Sequence, residues 1–155
     1  IIKGKIIKEF VLHKNTTTIT TTSSSSTTAT NTTTSNNSIG VTCFAYSNFC
    51  KYIASAAERH VLFWDLFTLE IIYKIENLKA IVIDILIQDN IHKLFIGLNN
   101  KSIYIYHSIT YEFIQVIYDS SIYKPQNLLT SLVFAWDLNV LYTAGNRINS
   151  FSLER

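Results

Sequence analysis

Histidines and aspartates are the residues of this sequence whose chemistry could support catalysis or metal binding. The four histidines lie far apart in the chain, without the spacing that metal ligands use: His13, His60, His92 and His107. Asp65 and Asp84 could form a carboxylate pair for acid–base work. However, Asp65 ends one predicted strand and Asp84 lies within another, and hydrogen bonding to turns and strands is the expected role of carboxylates in such places.

No nucleophile stands in a pattern that would activate it. The sequence has no Gly-x-Ser-x-Gly elbow, and four glycines in the whole chain argue against a phosphate-cradling glycine loop. We therefore predict a non-enzymatic protein with no catalytic residue, no metal site, no cofactor site and no small-molecule substrate.

Composition indicates an all-β protein. The chain of 155 residues is 48% hydrophobic and 13% aromatic, and Pro125 is its single proline. β-branched and aromatic residues favour pleated, half-buried surfaces. The net charge of +2, with no basic run among aromatics, predicts no binding of nucleic acid.

Apolar stretches, signal sequences and cysteines indicate the cellular compartment. The longest apolar stretch, 80–87, falls short of the about 18–20 residues that span a membrane. No cleavable signal is visible, and two cysteines, Cys43 and Cys50, favour a reducing compartment. We expect an intracellular protein, cytoplasmic or cytoskeletal, with Cys43 as a small buried hydrophobe. Because methionine is absent, we expect the sequence to be cut from a longer chain.

One segment differs in composition from the rest. Residues 15–38 are nearly all threonine, serine and asparagine, and they carry no charge. Such a segment buries too little apolar surface to offset its chain entropy, so we predict a disordered loop. Its Asn-x-Ser/Thr triplets could accept glycans or other modifications, but a tolerated low-complexity expansion is the simpler interpretation.

The remaining sequence reads as short strands that recur in sets of four. Predicted strands 41–47, 52–56, 60–65 and 70–75 are followed by 82–88, 93–98, 102–107 and 112–118, and then by 129–135, 140–144 and 147–152. Trp64, Tyr106 and Phe151 occupy one equivalent position in the third strand of each set, 42 and 45 residues apart. A period in the low forties with four strands is typical of a β-propeller blade.

The segment from Val41 to Ile75 resembles a WD repeat, with VTCFAYS, KYIASAAERHVLFWDL and EIIYKI in the family's order. The resemblance implies a side-chain hydrogen-bond network in which Ser55 and Trp64 match two members and Glu58 lies near the position of the turn aspartate. Asp65 completes the Trp-Asp pair, which the second and third repeats lack. The network is therefore expected to be partial.

The WD-repeat resemblance implies a fragment of a propeller with four-stranded antiparallel blades: about two complete blades and parts of two more. We assign 1–14 to the last strand of a preceding blade (strand 5–12), 39–77 to a WD-repeat blade, 78–119 to a second and 120–155 to an incomplete third. Since the ring would not close, the isolated fragment is expected to be unstable.

The function that the resemblance implies is a protein-interaction scaffold within a larger propeller protein and a large assembly. The segment from Gln115 through Asp119 to Asn146 is similar to segments of large ciliary and axonemal WD-repeat proteins. This similarity implies that the protein is associated with a cilium or the cytoskeleton. Tyr123, Lys124 and Trp136 are candidate partner contacts, because aromatic side chains dominate interface hot spots. Equally, they could cover the edge of their own blade.

Two other interpretations stay open at this point. The chain could be the propeller portion of an enzyme or of a nuclear nucleic-acid-processing factor whose active residues lie elsewhere. It could also be a β-sandwich, which predicts no blade period and a cooperatively folding isolated fragment.

Overall fold

The computed structural model describes residues 14–19, 33–38, 40–118 and 129–153, and the chain divides into two compact units, Ile1–Gly40 and Val41–Arg155. In the first unit, β1 (Lys14–Ile19) pairs antiparallel with β2 (Thr33–Ser38). The structure thus differs from the predicted disordered loop at these two strands, because β-branched threonine favours extended backbone. Residues 20–32 and the predicted strand 5–12 lie outside the described residues.

The second unit contains eleven described strands in three antiparallel sheets, and within each sheet the neighbours follow chain order. The first sheet comprises β3 (Cys43–Ser47), β4 (Tyr52–Ala57), β5 (His60–Asp65) and β6 (Ile71–Ile75). The second comprises β7 (Val82–Gln88), β8 (Lys93–Leu98), β9 (Ser102–His107) and β10 (Phe113–Tyr118). The third comprises β11 (Ser131–Ala135), β12 (Val140–Ala144) and β13 (Ile148–Ser152). A 3₁₀ turn, Asp89–Ile91, follows β7.

The three sheets stack face to face through their first strands. β7 packs against β3 on one side and against β11 on the other. Side chains of a strand alternate between its two faces, so the second sheet is buried on both. Leu94 and Ile96 of β8 belong to the core shared with the first sheet, whereas Phe95 between them belongs to the core shared with the third.

Each of the two cores combines residues from neighbouring sheets. In the first, Tyr52 and Phe63 of the first sheet share a buried cluster with Val82 and Leu98 of the second. In the second, Phe95 stacks on Phe134 of β11 with ring centroids 5.6 Å apart. Sheets that are apolar on both faces in this way explain why their strands show little polar alternation in the sequence.

Turn geometry repeats from sheet to sheet although the turn residues do not. Lys51, His92 and Asn139 end the turns after the first strand of each sheet, and all three have positive φ, at 56°, 50° and 52°. In the β8–β9 hairpin the positive φ falls on Lys101, at 68°, and not on the preceding Asn99 or Asn100. Few L-residues adopt this region readily, so packing of the flanking strands sets it.

Gly97 has a packing role. A Cβ atom at this position would lie 2.7 Å from Leu129 Cδ2, closer than carbon atoms pack, and 3.2 Å from Leu132 Cδ1, which is a tight contact. The missing side chain therefore lets the second sheet approach the third. Among the residues described, no helix is long and apolar enough to cross a membrane.

Candidate interaction face

The structure separates the two aspartates with catalytic potential, whereas the rings of His92 and His107 lie with their centroids 5.9 Å apart. Asp65 ends β5 in the first sheet, whereas Asp84 lies near the start of β7 in the second, at the opposite end of the stack. Within the described residues, no group of three His, Cys, Asp or Glu side chains could hold a metal ion. A cleft of about 490 Å³ between β10 and β13 is lined by six residues without an ionisable group: Gln115, Ile117, Ser150, Phe151, Ser152 and Leu153.

The two cysteines are free thiols, both partly buried. Cys43 packs against the first core, and burial raises the pKa of its thiol to about 11. The thiol is therefore protonated at neutral pH, and this agrees with the role of a small apolar side chain.

Asp65 caps the turn between β5 and β6. Its Oδ1 accepts hydrogen bonds from the backbone N–H groups of Phe67 and Thr68, at 2.8 and 2.7 Å, and from Thr68 Oγ1 at 3.3 Å. These bonds, first of all the one from Thr68 N–H, hold the pKa of Asp65 below its ordinary value of 3.8. The capping is therefore complete at neutral pH and is lost only as the pH falls below that value.

His107 occupies the equivalent position in the second sheet and makes the equivalent contacts. Its Nδ1 accepts from the backbone N–H groups of Ile109 and Thr110, at 3.3 and 3.2 Å. An imidazole nitrogen without a proton thus replaces the carboxylate oxygen of the Trp-Asp pair.

This replacement predicts the effects of two substitutions. His107→Asp is expected to leave the free energy of unfolding within about 0.5 kcal/mol of the parent, whereas His107→Ala should lower it by about 1 kcal/mol by removing the acceptor. Urea unfolding of both variants measures the difference. Equal losses in the two variants would show that the side-chain acceptor has no role.

Trp64 and Ser55 form a buried hydrogen bond within the first sheet. The indole Nε1 of Trp64 donates to Ser55 Oγ at 2.9 Å, and both residues are buried. Glu58 lies exposed in the β4–β5 turn at φ 49°, and its backbone carbonyl accepts from Val82 N–H at 2.6 Å. This contact of Glu58 is made by its backbone and joins the first sheet to the second.

Ser55→Ala is expected to destabilise the chain by about 1–2 kcal/mol, since it removes the acceptor from a buried indole N–H. The matched control is Ser150→Ala on β13, where the serine is exposed and the expected change is within about 0.5 kcal/mol. Thermal unfolding followed by circular dichroism compares the two, and a loss no larger than the control would overturn the prediction.

Two aspartates of the second sheet bridge its neighbours. Asp89 accepts from Ser47 Oγ at 2.7 Å and from the backbone N–H groups of Asn48 and Phe49, at 2.8 and 3.0 Å. These contacts place the β7–β8 and β3–β4 turns at one end of the stack. Tyr52 adds a buried bond at the same end, because its hydroxyl donates to the carbonyl of Ser108 at 2.9 Å.

Asp84 forms the second bridge. Its Oδ2 accepts from the backbone N–H of Leu132 at 2.7 Å and from Ser131 Oγ at 3.1 Å. Asp84 lies at a register shift in the β7–β8 pairing, and such irregularities redirect side chains. The starts of β7 and β11 are thereby held together, so the first strands of these sheets run in parallel.

The topology therefore collects two kinds of turn at opposite ends of the stack. The β3–β4, β5–β6, β7–β8, β9–β10 and β11–β12 turns form one end, which we call the turn face: residues 48–51, 66–70, 89–92, 108–112 and 136–139. The connections β4–β5, β6–β7, β8–β9 and β12–β13 form the other, which we call the connector face: residues 58–59, 76–81, 99–101 and 145–147.

Large apolar side chains are exposed on the turn face. Five of them have between 40 and 78% of their surface exposed: Phe49, Phe67, Ile109, Trp136 and Leu138. The connector face has Ile81 within its described connections, and Val41, Tyr118 and Ile148 lie beside them. Exposed aromatic and aliphatic groups on rigid turns are typical of protein-binding surfaces.

Of the three candidate partner contacts predicted from the sequence, one lies among the described residues. Trp136 lies on the turn face and is 70% exposed. Tyr123 and Lys124 lie outside the described residues, so their role stays a prediction. Phe49 and Phe67 were missed by the sequence reasoning, although each is an aromatic residue in a hairpin turn between two predicted strands, which is the signal that could have found them.

Comparison with family models and with curated proteins finds no match. Among solved structures, the chain is similar to Sqt1 of Saccharomyces cerevisiae, with a TM-score of 0.62 and 14% identity over 74% of this chain and 32% of that one. It is also similar to the RRP9 WD40 repeats and to U3-55K, both with a TM-score of 0.65 and 16% identity. These two cover 76% of this chain, and the chain covers 36 and 37% of them.

At these identities the likeness shows the fold. The three sheets are blades of a WD40-type β-propeller, which confirms the fold class predicted from the sequence. The chain spans about a third of the length of each of these structures. The boundaries assigned to the individual blades stay predictions.

Proposed function

We propose that this chain is a protein-binding scaffold that holds its partner against the turn face. The observation that carries the proposal is that the turns at this end of three stacked blades expose five large apolar side chains, whereas the described connections at the other end expose one, Ile81. The bridges of Asp89 and Tyr52 fix the turns of the first two blades relative to each other. Rigid presentation lowers the entropy cost of binding, which favours use of this surface.

The test is quantitative co-purification with the tagged full-length protein. The variant Phe67→Ser with Trp136→Ser removes two of the most exposed apolar groups of the turn face. The matched control, Ile81→Ser with Ile148→Ser, removes two exposed isoleucines at the connector end. We expect the partner set to be lost from the first variant and kept by the control. Loss from the control alone, or from neither, would refute the proposal.

Nucleic acid does not fit this proposal as a ligand of the turn face. Binding of nucleic acid depends on clustered lysine and arginine side chains. The turn face instead carries more carboxylates than lysines, among them the exposed Glu70, Glu112 and Asp137. We propose protein as the partner class and no nucleic acid at this surface.

The proposed place of action is the cytoskeleton or a cilium, supported by the sequence likeness that runs from Gln115 to Asn146. Detergent extraction of cells with the tagged full-length protein tests it. Retention in the microtubule pellet, with release by high salt, is the expected result. Complete release into the soluble fraction would refute this placement and leave the scaffold function untouched.

A further inference from the structure

The turn face and the connector face differ in charge as well as in exposed apolar surface. The turn face and the strand ends beside it carry two lysines, Lys51 and Lys93, and five carboxylates: Asp65, Glu70, Asp89, Glu112 and Asp137. The connector face carries two carboxylates and four cations: Glu58, Glu76, Arg59, Lys79, Lys101 and Arg147. The net charges are therefore −3 and +2.

Within the described part of the chain, no lysine or arginine side chain forms an ion pair with the carboxylates of the turn face. Asp65 and Asp89 accept hydrogen bonds from backbone N–H groups and hydroxyls, which satisfies their lone pairs and leaves their charge. Across the residues that the structure describes, none of the five has a lysine or arginine nitrogen within 4.0 Å. Their summed field therefore extends into solvent at this end of the stack.

Each apolar group of the turn face has a carboxylate beside it. Trp136 and Leu138 flank Asp137, and Phe67 lies between Asp65 and Glu70 in the β5–β6 turn. Ile109 is in the same turn as Glu112, and the backbone N–H of Phe49 donates directly to Asp89. The same pairing of an apolar contact with a negative charge thus recurs in all three blades.

On the basis of this pairing, and resting on the proposed function, we propose that the partner presents a cationic segment in which lysine or arginine alternates with large apolar side chains. The apolar groups would contact the exposed aromatic and aliphatic side chains, and the cations would lie beside the carboxylates. Such complementarity raises the association rate and selects against acidic partners.

A second copy of the chain fits this surface less well. Two turn faces would bring their carboxylates together, which is repulsive. Stacking of a turn face on a connector face would match charge, but the described connections offer Ile81 alone to meet five exposed apolar groups. Val41, Tyr118 and Ile148 lie at their margin. Self-association is therefore an outcome that would contradict the proposal.

Fluorescence anisotropy with three labelled peptides and the full chain tests the proposal. The first peptide alternates lysine and arginine with leucine and phenylalanine, the second has glutamate for each cation, and the third has serine for each apolar residue. We expect the first to bind at least about tenfold more tightly than either of the others. We also expect its binding to weaken between about 0.05 M and about 0.5 M salt, where screening shortens the range of the field.

Matched substitutions locate the effect. Glu112→Gln with Asp137→Asn removes two negative charges from the turn face, and Glu58→Gln with Glu76→Gln removes two from the connector face. The first pair is expected to weaken binding of the cationic peptide at least about tenfold, and the second to leave it within about twofold. All four side chains are exposed. Thermal unfolding of both double variants would check that they are folded.

Equal binding of the acidic peptide, equal effects of the two charge pairs, or concentration-dependent self-association seen by sedimentation would each overturn the proposal. The variant Phe67→Ser with Trp136→Ser separates this failure from failure of the scaffold function. If it loses its cellular partners while the peptides bind without charge preference, the turn face still binds protein and only the partner's chemistry is wrong.

Discussion

Replacing Phe95 with alanine is expected to lower the free energy of unfolding by about 3–5 kcal/mol, the cost of truncating a large aromatic side chain in a closed core. Phe95 is fully buried, and its ring stacks on Phe134 across the junction between the second and third blades. Truncation removes apolar contact and leaves a cavity that the neighbouring strands fill only in part.

Urea unfolding followed by tryptophan fluorescence measures the loss. The control is Phe44→Ala on β3, where the side chain is 72% exposed and the expected change is within about 0.5 kcal/mol. If Phe95→Ala were no more destabilising than this control, the third blade would not be packed on the second through this ring.

Asp84→Ala is expected to destabilise the chain by about 2–3 kcal/mol, because it removes an ionised acceptor from two groups of the third blade. The backbone N–H of Leu132, a buried residue, loses its partner where water has little access. Asp84→Asn keeps a carbonyl acceptor and should cost about 1 kcal/mol.

A double-mutant cycle isolates the bridge from other effects at Asp84. The losses of unfolding free energy in Asp84→Ala and Ser131→Ala should be non-additive by at least about 0.5 kcal/mol, because each substitution removes the same hydrogen bond. The control is Asp137→Ala, an exposed carboxylate in the β11–β12 turn. Strict additivity, or an equal loss in the control, would contradict the bridging role.

The fold was predictable because each strand is short, rich in β-branched and aromatic residues, and bounded by polar turns. The observed bounds of β5, β7, β8, β9 and β12 agree with those predicted from the sequence, and the other strands of the blades differ by one or two residues at an end. The recurrence of Trp64, Tyr106 and Phe151 in the third strand of each set sufficed to give the blade period.

The bridges between blades were not predictable, because they join residues distant in sequence. Asp89 meets Ser47 across 42 residues, and Asp84 meets Leu132 across 48. Each depends on how two finished sheets stack, which no local pattern encodes. The threonine-rich strands β1 and β2 were not predicted for a different reason: low hydrophobicity predicts disorder, whereas the β-branched side chain of threonine favours extended backbone.

The turn face was only partly predictable from the sequence. Trp136 was predicted as a contact because aromatic side chains dominate interface hot spots. Its place beside Phe49, Phe67 and Ile109 depends on the antiparallel order that puts alternate turns at one end. The equivalence of His107 and Asp65 as turn caps has a signal in the sequence, because each is followed by a threonine three residues later.

Site-specific photo-crosslinking in cells tests the central claim, that partners bind the turn face, most directly. A photoreactive phenylalanine analogue would replace Phe67 or Trp136 in the full-length protein, and Ile81 or Ile148 would be replaced in the controls. We predict crosslinked protein adducts from the two turn-face positions and none above background from the connector end. Adducts from the connector end with none from Phe67 or Trp136 would contradict the account.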